Sequence, residues 1–150
     1  MCRGDAAVVL MGPGVVGTNS KWGTTALEQG DYLNAVQILS GVPIALVRMS
    51  EADERPRHFG ISHHTLTVLL DLARPGCVVP LPKVFAERGE SLSALEQRHE
   101  VVWKDTEELF DDLIQSGLEL STMGRTPHDD ALFFHGALAG GKAAAQHVGV

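Results

Sequence analysis

The sequence predicts an α/β fold: a mostly parallel five-stranded sheet with helices on both faces, a Rossmann-like three-layer sandwich. Three observations predict it. Short apolar runs alternate along the chain with stretches whose apolar residues recur at helical spacing. Those runs are apolar at successive positions, as strands covered on both faces require. Strands that alternate with helices favour parallel pairing through right-handed crossovers. The 150 residues, 44% hydrophobic and 21% charged, fit one α/β domain over 1–150.

The elements follow in order. Residues 6–11 are a short apolar run that ends in glycines, the first strand. Residues 25–39 form a helix. Thr25 and Glu28 match a T-x-x-E capping box, Tyr32, Leu33, Val36 and Leu39 line one face, and Gly41 ends it. "PIALVRM" at 43–49 is the second strand. Ser62 caps a second helix, with Leu66, Leu69, Leu70 and Ala73 inward and Pro75-Gly76 as its stop. Residues 77–81 are the third strand. The polar stretch 83–97 is a loop with a short helix near 91–98. Residues 100–103 are a fourth strand, 106–115 a helix with Leu109, Phe110, Leu113 and Ile114 inward, and 118–122 a fifth strand. Thr126-Pro127 opens a last helix, which Gly140-Gly141 would kink or end.

Composition narrows the function classes. The formal net charge is -7 with no long basic run, which argues against nucleic acid or an anionic membrane as partner. No apolar run approaches the ~18 residues that span a bilayer. No convincing signal peptide is visible, so the expected location is cytoplasmic. Cys2 and Cys77 are the only cysteines, which makes a disulfide framework or a cysteine zinc site an unexpected outcome.

In an open parallel sheet, ligands bind beyond the carboxyl ends of the strands. On the predicted topology three polar loops lie there: "GPGVVGTNSKWG" after the first strand, "SEADERPRHFGISHHT" after the second and "STMGRTPHDD" after the fifth. The opposite edge carries only short turns such as "SGVP" and "RPGC". The first loop contains G-x-G-x-x-G at Gly12, Gly14 and Gly17. It departs from a dinucleotide fingerprint, because the helix starts too late and the first acid after the second strand, Glu51, lies 39 positions past Gly12. It is no Walker loop either, since Thr18 and not Lys follows Gly17. What remains is an anion cradle of the Gly12, Gly14 and Gly17 amides with Thr18, Asn19, Ser20 and Lys21, or a plain turn.

The second loop offers Arg55 and Arg57 as planar forks for phosphate or carboxylate, and His58, His63 and His64 as proton carriers or metal ligands. Adjacent side chains on a helix point ~100° apart. On that spacing His63 and His64 do not grip one metal together, and a metal would need His58 or a distant acid, Asp129 or Asp130. No metal ligand is assigned on this basis. The third loop adds Arg125 at the same edge.

Taken together, "GPGVVGT", "EQGDYLNAV", "ERPRHFGISHHT", "VVPLP" and "LSTMGR", in this order, resemble the bacterial domain-of-unknown-function 3866 family. The resemblance spans most of the chain and aligns it with the C-terminal part of longer members. It implies no activity, cofactor or catalytic residue. "NSKWGTT" departs from the family's more glycine-rich continuation, so Lys21 and Trp22 are not family features.

Three readings follow. The first is a small anionic ligand, phosphate or carboxylate, held by Gly12, Gly14, Gly17, Thr18, Arg55, Arg57 and Arg125, with His63 or His64 carrying protons in catalysis. The second is a metal-dependent hydrolase using His58, His63 and His64 with Asp129 or Asp130. The third is a non-catalytic subunit that meets another copy or a missing N-terminal half.

Overall fold

The computed structural model describes residues 5–11, 14–18, 20–85 and 90–149. It holds two two-stranded sheets and five α-helices among those residues. The predicted five-stranded, Rossmann-like three-layer sandwich is therefore wrong.

What survives is one parallel unit. β3 (Val78–Pro82) and β4 (Glu100–Lys104) pair in parallel, in register Val78↔Glu100 to Pro82↔Lys104. α3 (Glu90–Arg98) lies in the connection between them, as a parallel crossover requires. β3 is buried at every position, which explains its continuous apolar sequence. α1 (Leu27–Ile38) packs through Leu33 and Gly30; a Cβ on Gly30 would lie 2.5 Å from Leu72 Cδ2. Of the face expected inward, Leu33 is buried whereas Tyr32 and Leu39 are exposed.

The expected second strand divides its pairing. Ile44 makes a single parallel bridge to Val78, and the far end becomes β1 (Met49–Ser50), antiparallel to β2 (Gly60–Ile61). Burial alternates over 45–47, with Ala45 and Val47 inside and Leu46 outside, so the period-two pattern is real although the ladder is short.

The first and fifth expected strands do not form. Val8, Val9 and Leu10 are 79%, 56% and 78% exposed, and no ladder partner reaches them among the described residues. Leu118 is also exposed, and Thr122 bridges only Arg125 across a tight turn. Strand propensity reports a fit to a half-buried pleated surface; without a neighbour to provide that surface, an apolar run makes no strand.

The expected second helix starts as α2 (His63–Thr67) and then widens into one π-helical turn, Val68–Leu72, closed by Ala73 N–H to Val68 O at 2.8 Å. α4 (Glu107–Gln115) keeps Leu109, Phe110, Leu113 and Ile114 half-buried. α5 (Ala131–Val148) starts later than expected, because the Asp129 carboxylate accepts from Thr126 N–H and Oγ1 and closes a turn first. Gly140-Gly141 neither ends nor interrupts it; Gly149, at φ 80°, does. Gly136 and Gly140 instead let α5 approach the 45–49 segment. A Cβ on Gly136 would lie 3.1 Å from Val47 O, and one on Gly140 2.8 Å from Leu46 Cγ.

The core gathers Val47, Met49, Val68, Leu69, Val79, Leu81, Leu95 and Leu132 between these elements. No helix among the described residues is long and apolar enough to cross a membrane. With the five-stranded sheet gone, its carboxyl edge no longer locates a site, and the side chains must do so.

Candidate metal centre and its charged surround

The 48–65 segment folds back on itself. Ser62 N–H donates to Arg48 O (2.9 Å), and Arg48 N–H to Thr65 Oγ1 (3.3 Å). Between these strands a 3-10 turn, Pro56–His58, brings His58 over the start of α2. His58, His63 and His64 come together there, with ring centroids 4.0–5.2 Å apart. Each can offer one ring nitrogen, all within 4.8 Å of one another.

The helical wheel separates His63 from His64, yet their rings lie 4.0 Å apart. Side chains at the first turn of a helix lean back toward its N-terminus, where rings from neighbouring positions can converge on a preceding loop. His58 on that loop completes the group. The π-helical turn one step further along is a local distortion of the kind that recurs beside functional sites.

Ser62 was expected to cap α2, but it makes no cap hydrogen bond. Its Oγ meets His58 Nδ1 at 2.8 Å and holds that ring. His63 Nε2 and His64 Nδ1 are buried and have no hydrogen-bond partner. Burial, followed by the Arg48 and Arg55 charges, pushes His58 down to about 4. Burial also lowers His63, aided by Arg57, and His64, aided by His63, Arg57, Arg48 and Arg55. All three rings are therefore neutral near pH 7, the state that ligates a metal.

Beside the imidazoles sits a second cluster. Asp53 is buried and accepts from Arg55 through Nε (2.9 Å) and Nη2 (2.8 Å), and from Arg48 Nη2 (3.2 Å). Arg125 Nη2 lies 4.0 Å from the same carboxylate. The Arg55 hydrogen bonds hold the Asp53 carboxyl well below the usual range. Asp130, also buried, accepts from Ser50 Oγ (2.7 Å), Glu51 N–H (3.2 Å) and Arg125 Nε (3.1 Å).

The expected site residues fare differently. Arg55 and Arg125 come together, but their forks are engaged with Asp53 and Asp130. Arg57 is exposed, and its charge acts on His63 and His64. Asp130 is tied to Ser50, Glu51 and Arg125, and Asp129 to Thr126, so these interactions do not direct either acid toward a metal.

Gly12 and Asn19 lie outside the described residues. Gly14 N–H donates to Met11 O, Val16 N–H to Thr25 Oγ1 and Thr18 N–H to Gly23 O, so the amides of two cradle residues, Gly14 and Thr18, and of Val16 between them already have acceptors. Thr18 Oγ1 accepts from Ser20 N–H. Gly17 touches the site in another way: a Cβ there would lie 2.9 Å from His64 Nε2.

Sequence reasoning missed Arg48, Asp53, Ser50 and the placing role of Ser62. One signal was available, since Arg48 is the lone charge in the apolar run "PIALVRM" and calls for a buried counter-ion.

No curated protein and no solved structure matches the chain. One family model does, over residues 1–141, nearly the whole length. That span gives no support to reading the chain as the C-terminal part of a longer architecture. The chain belongs to the family described as protein of unknown function DUF3866.

Proposed function

We propose that the chain binds a divalent metal through His58, His63 and His64 and uses it in the hydrolysis of a small anionic substrate. The observation that carries this reading is the pair of buried imidazole nitrogens without partners, His63 Nε2 and His64 Nδ1, in a group of three neutral histidines. A buried polar atom without a partner is costly and rare, and a metal satisfies both at once. Three histidines with a fourth position left open are a catalytic zinc ligand set. His58, His63 and His64 would hold the ion, each through one ring nitrogen, and these nitrogens lie within 4.8 Å of one another.

A divalent ion bound there supplies a Lewis acid that lowers the pKa of water. The chain's residues do the rest. Ser62 orients His58, as outer partners of metal ligands do. Gly17 lies against His64 and leaves no room for a side chain. The neighbouring arginines favour an anionic substrate.

The test is metal content and activity together. Protein stripped with chelator and dialysed against zinc is expected to hold one ion per chain and to cleave members of a panel of anionic esters. The His63→Ala variant is expected to lose both. Zinc in no fixed proportion, or undiminished in His63→Ala, overturns the reading.

A further inference from the structure

The π-helical turn that follows α2 is held from outside its own helix. In an α-helix the Ala73 N–H would bond Leu69 O, four residues back; here it bonds Val68 O instead (2.8 Å). Leu69 O is already taken. It accepts from His99 Nε2 (2.7 Å) and Arg98 Nε (3.2 Å), which fill both of its lone pairs. A carbonyl only accepts, so His99 carries its proton on Nε2, and its bare Nδ1 accepts from Cys77 N–H (3.3 Å). Arg98 also caps the end of the turn, donating from Nη2 to Ala73 O (2.7 Å). The same end is pinned to α1, where Asn34 donates to Leu72 O (3.3 Å) and accepts from Arg74 N–H (2.8 Å). His99 is buried and Arg98 half-buried, so water competes little for Leu69 O.

We propose that Arg98 and His99 are positioning residues for the histidine centre: by occupying Leu69 O they keep the helix in its π register, and that register aims His63 and His64 at His58. His64 stands five residues before Leu69 on the same continuous helical segment. A π turn holds one residue more than the α-helix it interrupts. Returning it to α geometry turns the start of the helix by about 100° and slides it by about 1.5 Å relative to the pinned end. The imidazole rings are 4.0–5.2 Å apart only because His63 and His64 leave the helix start toward the Pro56–His58 turn. A rotation of that size carries them away from His58. Leu69 O is the control point, because the hydrogen bond it withholds from Ala73 is the one that α geometry needs. That the placement serves a metal rests on the reading above; the placement itself does not.

The test uses the whole chain, stripped of metal with chelator, and reads its geometry by NMR. In the parent, through-hydrogen-bond coupling is expected to link Ala73 N to Val68 C′, and nuclear Overhauser contacts to join the His58 ring to those of His63 and His64. In the double variant Arg98→Leu/His99→Leu the coupling is expected to move to Leu69 C′ and the contacts to His58 to be lost. The single variant His99→Leu, which removes the shorter bond, is read in the same way should the double one fail to fold. His99→Gln keeps an amide N–H for Leu69 O and is expected to retain the parent pattern. Zinc affinity, read by competition with a chromogenic chelator, is expected to fall about tenfold or more in the leucine variants and to stay near the parent's in His99→Gln. A coupling that stays on Val68 C′ in the leucine variants would overturn the proposal. So would His58 contacts that survive the move to Leu69 C′, or that vanish while the coupling is unchanged. Parent protein that takes up no zinc overturns the metal reading alone, because coupling and ring contacts are read without metal.

Discussion

The glycine-rich loop and the 48–65 segment invite opposite readings in sequence and in space. The loop spells a motif, G-x-G-x-x-G, within seventeen residues of the start, yet the amides of Gly14, Val16 and Thr18 already have acceptors and its apolar lead-in lies exposed. The 48–65 segment spells no motif. It nevertheless gathers three imidazoles, and with Arg125 and Asp130 it builds a charged cluster around a buried carboxylate. A local pattern can be satisfied by local contacts and end there. A site needs groups that local contacts leave unsatisfied, and only the second region holds them.

The sharpest way to break this comparison is at the buried carboxylate that pairs with Arg48 and Arg55. Asp53→Ala leaves Arg48 without an ion-pair partner and Arg55 without its three hydrogen bonds to that carboxylate, two from the guanidinium and one from the backbone. Arg55 is nearly half exposed and recovers some hydration, so the expected loss is about 3 kcal/mol, the lower end for breaking a buried pair. Urea unfolding measures it. A loss near zero would show that the cluster is surface decoration.

Ser62→Ala tests the orientation of the imidazoles. The fold is expected to persist, while zinc affinity drops about 10–100-fold, the usual effect of removing an outer partner of a metal ligand. Competition with a chromogenic chelator reads it. Unchanged affinity would mean that His58 needs no such support. Gly17→Ala is expected to act in the same assay by displacing His64, whereas Gly14→Ala meets open space and should leave affinity alone.

Acid lability should come in part from histidines away from the candidate centre. Burial lowers His99 and His135 below their ordinary 6.5. The unfolded chain then takes up these protons first as pH falls, so their contribution is fully present above 6.5 and is lost progressively below it. Urea midpoints should be flat above that pH and decline beneath it, with a shallower decline in His135→Gln. An equal slope in that variant would assign the acid sensitivity elsewhere.

Gly14→Ala has a smaller consequence of its own. Gly14 sits at φ 79°, so an added Cβ is expected to destabilise by about 1 kcal/mol without touching the site. The smallest effect is expected at Met123. It holds φ 50° at the first central position of the Thr122–Arg125 turn, where asparagine is more at ease. Met123→Asn should raise the melting temperature slightly, by about 0.5 kcal/mol of stability. A decrease would mean that the Met123 Sδ contacts to Arg48 and Arg55 outweigh the backbone strain.

How much of this was legible follows from which interactions are local. α4, β3 and β4 were readable from their side-chain patterns, whereas α1 buries only Leu33 of its expected face and the weakly patterned stretch that holds α3 read as a loop with a short helix. The failed strands, 6–11 and 118–122, show the reverse: an apolar run states what a strand could bury and cannot supply the neighbour that buries it. His58, His63 and His64 were legible as residues, but the helical wheel carries no information about a loop folding back over a helix start. Arg48 and Asp53 were invisible as a pair, since five residues along an extended and turning segment fix no distance between two side chains. Asp130 meets Ser50 across a separation of 80 residues, and nothing in either local sequence announces the other.

The close approach of α5 carries a mechanical consequence. Gly136 lies against Val47 O, and Asp130, whose carboxylate joins Ser50 to Arg125, lies six residues toward the helix start, roughly 9 Å along the axis. The helix therefore works as a lever. A single methyl at Gly136 would lie 3.1 Å from that oxygen, so either the oxygen gives by a few tenths of an ångström or the helix tilts, and a tilt is transmitted to the far end as a displacement of Asp130. The position of Asp130, and of the Arg125 guanidinium it holds, is thus gauged by the absence of a side chain about one and two-thirds turns away.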